Sequence, residues 1–255
     1  MKNNVLYALE ERQGYLRLWD ISDFANPHSL AQVNSPAGAT FHELGIRGNF
    51  VYLATQLGSF QIWDVSTPSN PIKKGELSWP DVKIMDLYVS ESGDLIYIAY
   101  ANPSGQSGYQ VKIINAANPQ APQVVKTLET TGLPSALAGE GNFLYVASNL
   151  LQQGRWILTA YNVTNPANPF SADTLQGSGQ SYELEVKDGV IIGTFPGGTV
   201  RYFVYDQHGN QLISGPAVHS GDDNRLATAT DQQGNLVSYV MQGYVYISGS
   251  QCAHG

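Results

Sequence analysis

The chain has 255 residues, of which 42% are hydrophobic and only 13% charged, with a formal net charge of −8. Gly (26), Tyr (15) and Pro (13) are abundant, a mix that suits short strands and turns and leaves long amphipathic helices short of Lys, Glu and Arg. No Lys/Arg run supplies the basic footprint that phosphate backbones need, so nucleic acid is not an expected partner. No stretch of about 18 apolar residues offers a membrane-spanning helix.

The start, Met1-Lys2-Asn3-Asn4-Val5, runs straight into an apolar strand and lacks the core of a signal peptide. Two locations stay open: the cytoplasm, or a mature exported domain whose leader was removed. Low Lys and Glu, with polarity carried by Asn, Gln, Ser and Thr, favours an exported or cell-surface protein. Cys252 is the single cysteine, which rules out an internal disulfide and a multi-cysteine metal site.

A tyrosine-centred apolar run opens the chain at Leu6-Tyr7-Ala8. It recurs at Val51-Tyr52-Leu53-Ala54, Ile96-Tyr97-Ile98-Ala99 and Leu144-Tyr145-Val146-Ala147, then at Ile191-Ile192-Gly193-Thr194 and Ser238-Tyr239-Val240-Met241. Taking Tyr7, Tyr52, Tyr97, Tyr145, Ile192 and Tyr239 as equivalent gives spacings of 45, 45, 48, 47 and 47 residues. Such a period marks a repeat architecture.

A second strand follows each run and carries Asp or Asn near its end: Asp20, Asp64, Asn115, Asn162 and Asp206. Next comes a turn, Asn26-Pro27, Asn70-Pro71, Asn118-Pro119 and Asn168-Pro169, with Gly209-Asn210 in the fifth repeat. Asx side chains bond the backbone just downstream and Pro fixes φ, so a tight reversal is expected. A third strand leaves the turn, and a fourth precedes the next tyrosine run through Gly48-Asn49, Gly141-Asn142, Asp188-Gly189 or Gly234-Asn235 hairpins. Four antiparallel strands per repeat of about 45 residues is the pattern of a β-propeller blade. The expectation is an all-β chain forming one propeller domain over 1–255. Six blades are favoured, with five as the alternative if Arg225-Leu226-Ala227-Thr228 completes the first blade.

The segment from Val51 to Trp63-Asp64-Val65-Ser66-Thr67-Pro68-Ser69-Asn70-Pro71 resembles the LVIVD repeat of bacterial and archaeal propellers. Trp19-Asp20-Ile21-Ser22-Asp23 and Asn26-Pro27 repeat the match. The third and fourth repeats keep the strand and turn with Asn115 and Asn162, and the last two match weakly. The resemblance implies a propeller, often exported or surface-attached, without a catalytic signature of its own.

Five repeats carry Asp or Asn before a turn, which points to turn capping rather than metal binding. The recurring aromatics sit in strand centres, as packing requires; Trp79 and Trp156 border irregular loops and are the better stacking candidates. The start of the fourth-type strand holds more chemistry. Aligning Leu44, Leu87, Leu137, Leu184 and Leu226 puts Glu43, Asp86, Ala136, Glu183 and Arg225 at one position. His42, Met85, Ser135, Tyr182 and Asn224 precede them. If these strands line the axis, Glu43, Asp86, Glu183 and Arg225, with His42 and Tyr182 beside them, would bind a polar ligand. A divalent cation held by carboxylate oxygens is the alternative occupant, and charge compensation in a hydrated channel is the plain reading. Asp222-Asp223 could add oxygens.

No Gly-x-Ser-x-Gly elbow occurs and the five histidines show no metal-ligand spacing. Phe195-Pro196-Gly197-Gly198-Thr199 reads as a hairpin turn. The expected function is therefore non-catalytic: a scaffold presenting loops to a protein or glycan partner, with no cofactor. Two alternatives are a lactonase-like hydrolase using a cation at the axis, and a subunit that self-associates through open blade edges.

Overall fold

The computed structural model describes residues 4–10, 13–80, 82–102, 108–195, 199–206, 211–219, 225–230, 236–241 and 245–248, with side chains as far as 215. Among these residues every regular element but one short 3-10 turn, Leu151–Gln153, is a strand. The strands form antiparallel meanders in chain order. The first sheet has three strands: β1 (Val5–Glu10), β2 (Tyr15–Asp20) and β3 (His28–Asn34). The second has four: β4 (Phe41–Arg47), β5 (Phe50–Thr55), β6 (Ser59–Asp64) and β7 (Ile72–Ser78). The third is β8 (Lys83–Val89), β9 (Leu95–Ala101), β10 (Tyr109–Asn115) and β11 (Gln123–Thr130). The fourth is β12 (Leu133–Glu140), β13 (Phe143–Leu150), β14 (Arg155–Asn162) and β15 (Phe170–Ser178). The fifth is β16 (Glu183–Lys187), β17 (Val190–Phe195), β18 (Thr199–Asp206) and β19 (Gln211–His219). A last sheet of three strands holds β20 (Arg225–Thr230), β21 (Leu236–Met241) and β22 (Val245–Ser248). β20 thus heads this sheet and pairs with β21.

The chain divides into two compact units, Met1–Thr127 and Leu128–Gly255. In the first, β4 packs beside β1 and β8. The tyrosine strand β5 is buried on both faces, which explains its unbroken apolar run. Val51 and Leu53 join Leu16, Leu18 and Phe41 in the core towards the first sheet. Tyr52 and Ala54 join Ile84, Ile96 and Ile98 towards the third. In the second unit β12 packs beside β16, and β16 beside β20. There Tyr145, Trp156, Leu158, Leu184, Phe195 and Phe203 form one core between neighbouring sheets. Each such aliphatic or Phe side chain contributes about 1.5–3 kcal/mol on burial.

The Asx position caps its turn in four repeats. Asp20 Oδ1 accepts the Ser22 N–H at 2.8 Å, Asp64 that of Ser66 at 2.9 Å, Asn115 that of Ala117 at 2.9 Å and Asn162 that of Thr164 at 3.0 Å. Hydroxyl and amide bonds from Ser22 hold the Asp20 carboxyl below the usual range. The Ser66 amide and hydroxyl, with Lys74, do the same for Asp64.

Two sequence equivalences shift in the structure. The turn closes with Asn26 N–H to Asp23 O, Asn70 N–H to Thr67 O, Ala121 N–H to Asn118 O and Asn168 N–H to Asn165 O. Ala121-Pro122, not Asn118-Pro119, is therefore the counterpart of Asn26-Pro27. In the fifth sheet Val190 pairs with Val204, where Phe50 pairs with Asp64 and Phe143 with Asn162. Val204 therefore holds the Asx position, and Asp206 lies two residues beyond it on an extended strand. The Gly234-Asn235 turn lies outside the described residues.

Candidate functional site

The fourth-type strands head their sheets, and a shared irregularity sits at the start of the ladder in three of them. Phe41 pairs with Thr55 but Glu43 with Ala54, leaving His42 as an extra residue. The same skip falls at Met85, between Ile84 and Asp86, and at Ser135, between Pro134 and Ala136. These are β-bulges, which re-aim side chains at a sheet end. In β16 the Tyr182 N–H donates to Thr194 O at 3.1 Å while Glu183 pairs with Thr194.

The ladder puts the sequence-derived residues at one position. Glu43 faces Ala54, Asp86 faces Ala99, Ala136 faces Ala147, Glu183 faces Thr194 and Arg225 faces Met241. Each partner lies two residues past the tyrosine or its equivalent. Glu43 and Asp86 stand on adjacent strands of the first unit, Glu183 and Arg225 on adjacent strands of the second. The Arg225 side chain lies outside the described residues, as does the Asp222-Asp223 loop.

A bulge lets consecutive side chains meet, where a regular strand would send them to opposite faces. His42 Nε2 accordingly lies 3.3 Å from Glu43 Oε1, both side chains about one quarter exposed at 24% and 25%. Gln56 Nε2 approaches His42 Nδ1 at 3.5 Å. Asp86 Oδ1 accepts the Leu87 N–H at 2.6 Å. Tyr182 and Glu183 are half-buried. In the second unit the bulge residue Ser135 joins a buried polar network. Its Oγ lies 2.9 Å from Ser181 Oγ, and Asn149 Oδ1 accepts the Ser181 N–H at 2.7 Å. Asn149 Nδ2 returns a bond to Ser181 O at 2.9 Å. This network fixes the segment leading into Tyr182 and Glu183.

Sequence reasoning misses Gln56, Asn149 and Ser181. A signal exists: Gln56 and Asn149 each follow the repeat tyrosine by four residues, and each carries a side-chain amide. The two candidate tryptophans differ in exposure. Trp156 is 5% exposed and packs against Phe195 and Phe203 at ring-centroid distances of 5.1 and 5.7 Å. Trp79 is half-buried, with Lys112 Nζ 5.4 Å from its ring centre and 4.6 Å from that of Tyr100. Among the described residues no three His, Cys, Asp or Glu side chains gather as a metal-ligand group. No described helix is long and apolar enough to cross a membrane. Phe195 pairs with Thr199, and the Pro196-Gly197-Gly198 turn lies outside the described residues.

Comparison with known proteins agrees with this architecture. The LVIVD repeat family model matches residues 42–78, from the bulge residue His42 to the end of β7. No curated protein matches the sequence significantly. Among solved structures, a protein of unknown function from Desulfotomaculum acetoxidans superposes with TM-score 0.71 at 15% identity, covering 95% of this chain and 81% of that one. The β-propeller domain of Cps50 (Swd1) from Myceliophteria thermophila superposes at 0.70 and 12% identity, covering 97% and 80%. The C-terminal WD40 domain of Sif2 superposes at 0.67 and 14% identity, covering 98% and 67%. Identities this low speak for the fold alone, and the fold is a β-propeller.

Proposed function

We propose that the chain is a non-catalytic binding propeller of six blades in one domain, exported or cell-surface, that holds a protein or glycan partner at the bulged ends of its inner strands. One observation carries this reading. The bulge recurs at the same ladder position in three sheets, yet the pairs it displays differ: His42-Glu43, Met85-Asp86 and Ser135-Ala136. Tyr182-Glu183 follows at the corresponding strand start. A constant backbone with varied side chains suits a surface fitted to one partner. A repeated structural role would demand a repeated residue, as the Asx turns do.

The test uses glycan and peptide arrays probed with the purified chain and with a His42→Ala/Glu43→Gln/Glu183→Gln variant. Partners bound by the first and lost by the second support the reading. Binding that survives the triple variant removes the site from these strands. Hydrolysis of a lactone or ester that depends on Glu43 or Glu183 would replace the binding reading with an enzymatic one.

A further inference from the structure

The Asx turn is built alike in four repeats, and the third departs from the others at two positions. Two residues past the cap stands a hydroxyl in Ser22, Ser66 and Thr164, but Ala117 in the third repeat. The residue that closes the turn is Asn26, Asn70 or Asn168 elsewhere and Ala121 here. In the first repeat that asparagine reaches across the turn, its Nδ2 donating to Asp23 Oδ2 at 2.9 Å. Where alanine stands instead there is a groove of about 270 Å³, lined by Asn115, Ala117, Asn118, Ala121 and Gln123. Its walls are held in place. Asn115 Oδ1 accepts the Ala117 N–H at 2.9 Å, and Asn118 Oδ1 that of Gln120 at 3.1 Å. The Ala121 N–H donates to Asn118 O at 3.0 Å. Pro119 fixes φ inside the turn and Pro122 is buried. The turn rests on the second sheet, where a Cβ on Gly75 would collide with the Pro119 carbonyl.

We propose that this groove is a binding site for one neutral sugar ring. The lining defines the ligand class. Asn115 and Asn118 each use Oδ1 in the turn, which leaves their Nδ2 groups as donors. Gln123 adds an exposed amide with a donor and an acceptor end. Groups that donate and accept side by side match hydroxyls, which do the same. An anion is disfavoured, because no Lys or Arg lines the groove and the chain carries a net charge of −8. The methyl groups of Ala117 and Ala121 suit the C–H face of a pyranose. The volume falls just below the range of about 300–1,000 Å³ that holds drug-sized ligands, so a single ring is what fits. The fourth repeat has the same pair of capping asparagines, Asn162 and Asn165, but keeps Thr164 and Asn168. The two alanines therefore set the third turn apart. Asn115 pairs with Leu95 and Asp86 with Ala99, so the groove lies at the opposite end of the third sheet from the bulge. It shares no residue with the bulged strand ends and stands whether or not they bind.

The probes are the methyl glycosides of glucose, galactose, mannose and N-acetylglucosamine, titrated into the intact chain. The side-chain amide signals of Asn115, Asn118 and Gln123 are followed by nuclear magnetic resonance. A site this small should bind with Kd on the order of 1 mM. At least one glycoside should therefore shift these signals to saturation by roughly 100 mM. Ala121→Asn restores the residue that three other turns of this chain carry, so the variant should fold with its remaining amide signals in place. It should weaken binding by roughly tenfold or more. The His42→Ala/Glu43→Gln/Glu183→Gln variant should bind the glycoside as the unaltered chain does. Absence of a saturable shift with all four glycosides would overturn the site. Shifts that Ala121→Asn leaves unchanged would move the sugar out of the groove and overturn it as well. Stronger binding of acetate or phosphate than of any glycoside would make this an anion site and overturn the sugar assignment.

Discussion

Replacing Asp64 separates a turn-capping role from one that needs charge. Beside the Ser66 hydroxyl, the carboxylate has two chief contacts: its Oδ1 accepts the Ser66 N–H at 2.9 Å, and its Oδ2 lies 3.2 Å from Lys74 Nζ. The first is a local bond that Asn115 and Asn162 make at the same position with 2.9 and 3.0 Å geometry. Such a bond contributes about 1 kcal/mol net. The second is a partly exposed ion pair, worth about 0–1 kcal/mol after solvent screening. Asp64→Asn should therefore cost about 0.5 kcal/mol or less at neutral pH, and Asp64→Ala about 1–1.5 kcal/mol. For a domain this size the alanine variant should lose roughly 2–6 °C in Tm. Because the folded-state pKa of Asp64 is lowered, its contribution is present above the ordinary aspartate range. It is lost as pH falls through the lowered value, so the unaltered chain and the Asp64→Asn variant should converge in stability in acid. Urea titrations monitored by tryptophan fluorescence at neutral and acid pH measure both effects. An asparagine variant as damaging as the alanine one would refute the capping argument and make the charge itself the requirement.

Three further outcomes follow from the packing. Glu140→Ala should destabilise by about 1–2 kcal/mol in thermal unfolding, because both carboxylate oxygens accept amides of the next sheet's hairpin, Asp188 N–H at 2.9 Å and Gly189 N–H at 2.7 Å. Glu140→Gln keeps one acceptor and should fall between. Gly58→Ala should cost about 3 kcal/mol or more in the same assay, since φ is +78° and a Cβ would stand 2.1 Å from the Trp79 carbonyl oxygen. Gly38→Ala, at φ +79° in open space, should cost only about 1–2 kcal/mol. Burial pushes the phenols of Tyr97 and Tyr145 up to about 12, so the fold favours their neutral forms. That stability is intact below the ordinary tyrosine range near 10 and is lost as pH rises towards 12. Phenolate absorbance should rise together with unfolding, and two independent titrations near 10 in the folded chain would contradict the burial.

Much of the architecture is legible because each repeat restates it. The tyrosine run marks a strand buried on both faces, and the Asx position marks a turn whose hydrogen bond depends on one side-chain oxygen. Where the residue changes, the inference slips. In the third repeat Asn-Pro occurs one turn early, at Asn118-Pro119, because the turn-opening residue there is also an asparagine followed by proline. In the fifth, Val204 cannot cap, so the strand continues to Asp206 and takes the next acidic residue out of register.

The bulge is hidden for a related reason. An extra residue that recurs from repeat to repeat leaves their spacing unchanged, so no period betrays it; only the ladder does, where Ala54 faces Glu43 while Thr55 faces Phe41. Sequence alignment can place Glu43, Asp86 and Glu183 at one position, since Leu44, Leu87 and Leu184 anchor them. It cannot show that His42 and Glu43 share a face, because a regular strand would separate them. That difference decides what the position can do. A lone carboxylate at a strand start is a solvated charge, whereas adjacent side chains 3.3 Å apart, as His42 and Glu43 are, form a two-residue contact surface. The other bulges carry different residues, Met85-Asp86 and Ser135-Ala136, so the position has a constant backbone and no constant side chain from which a motif could be read.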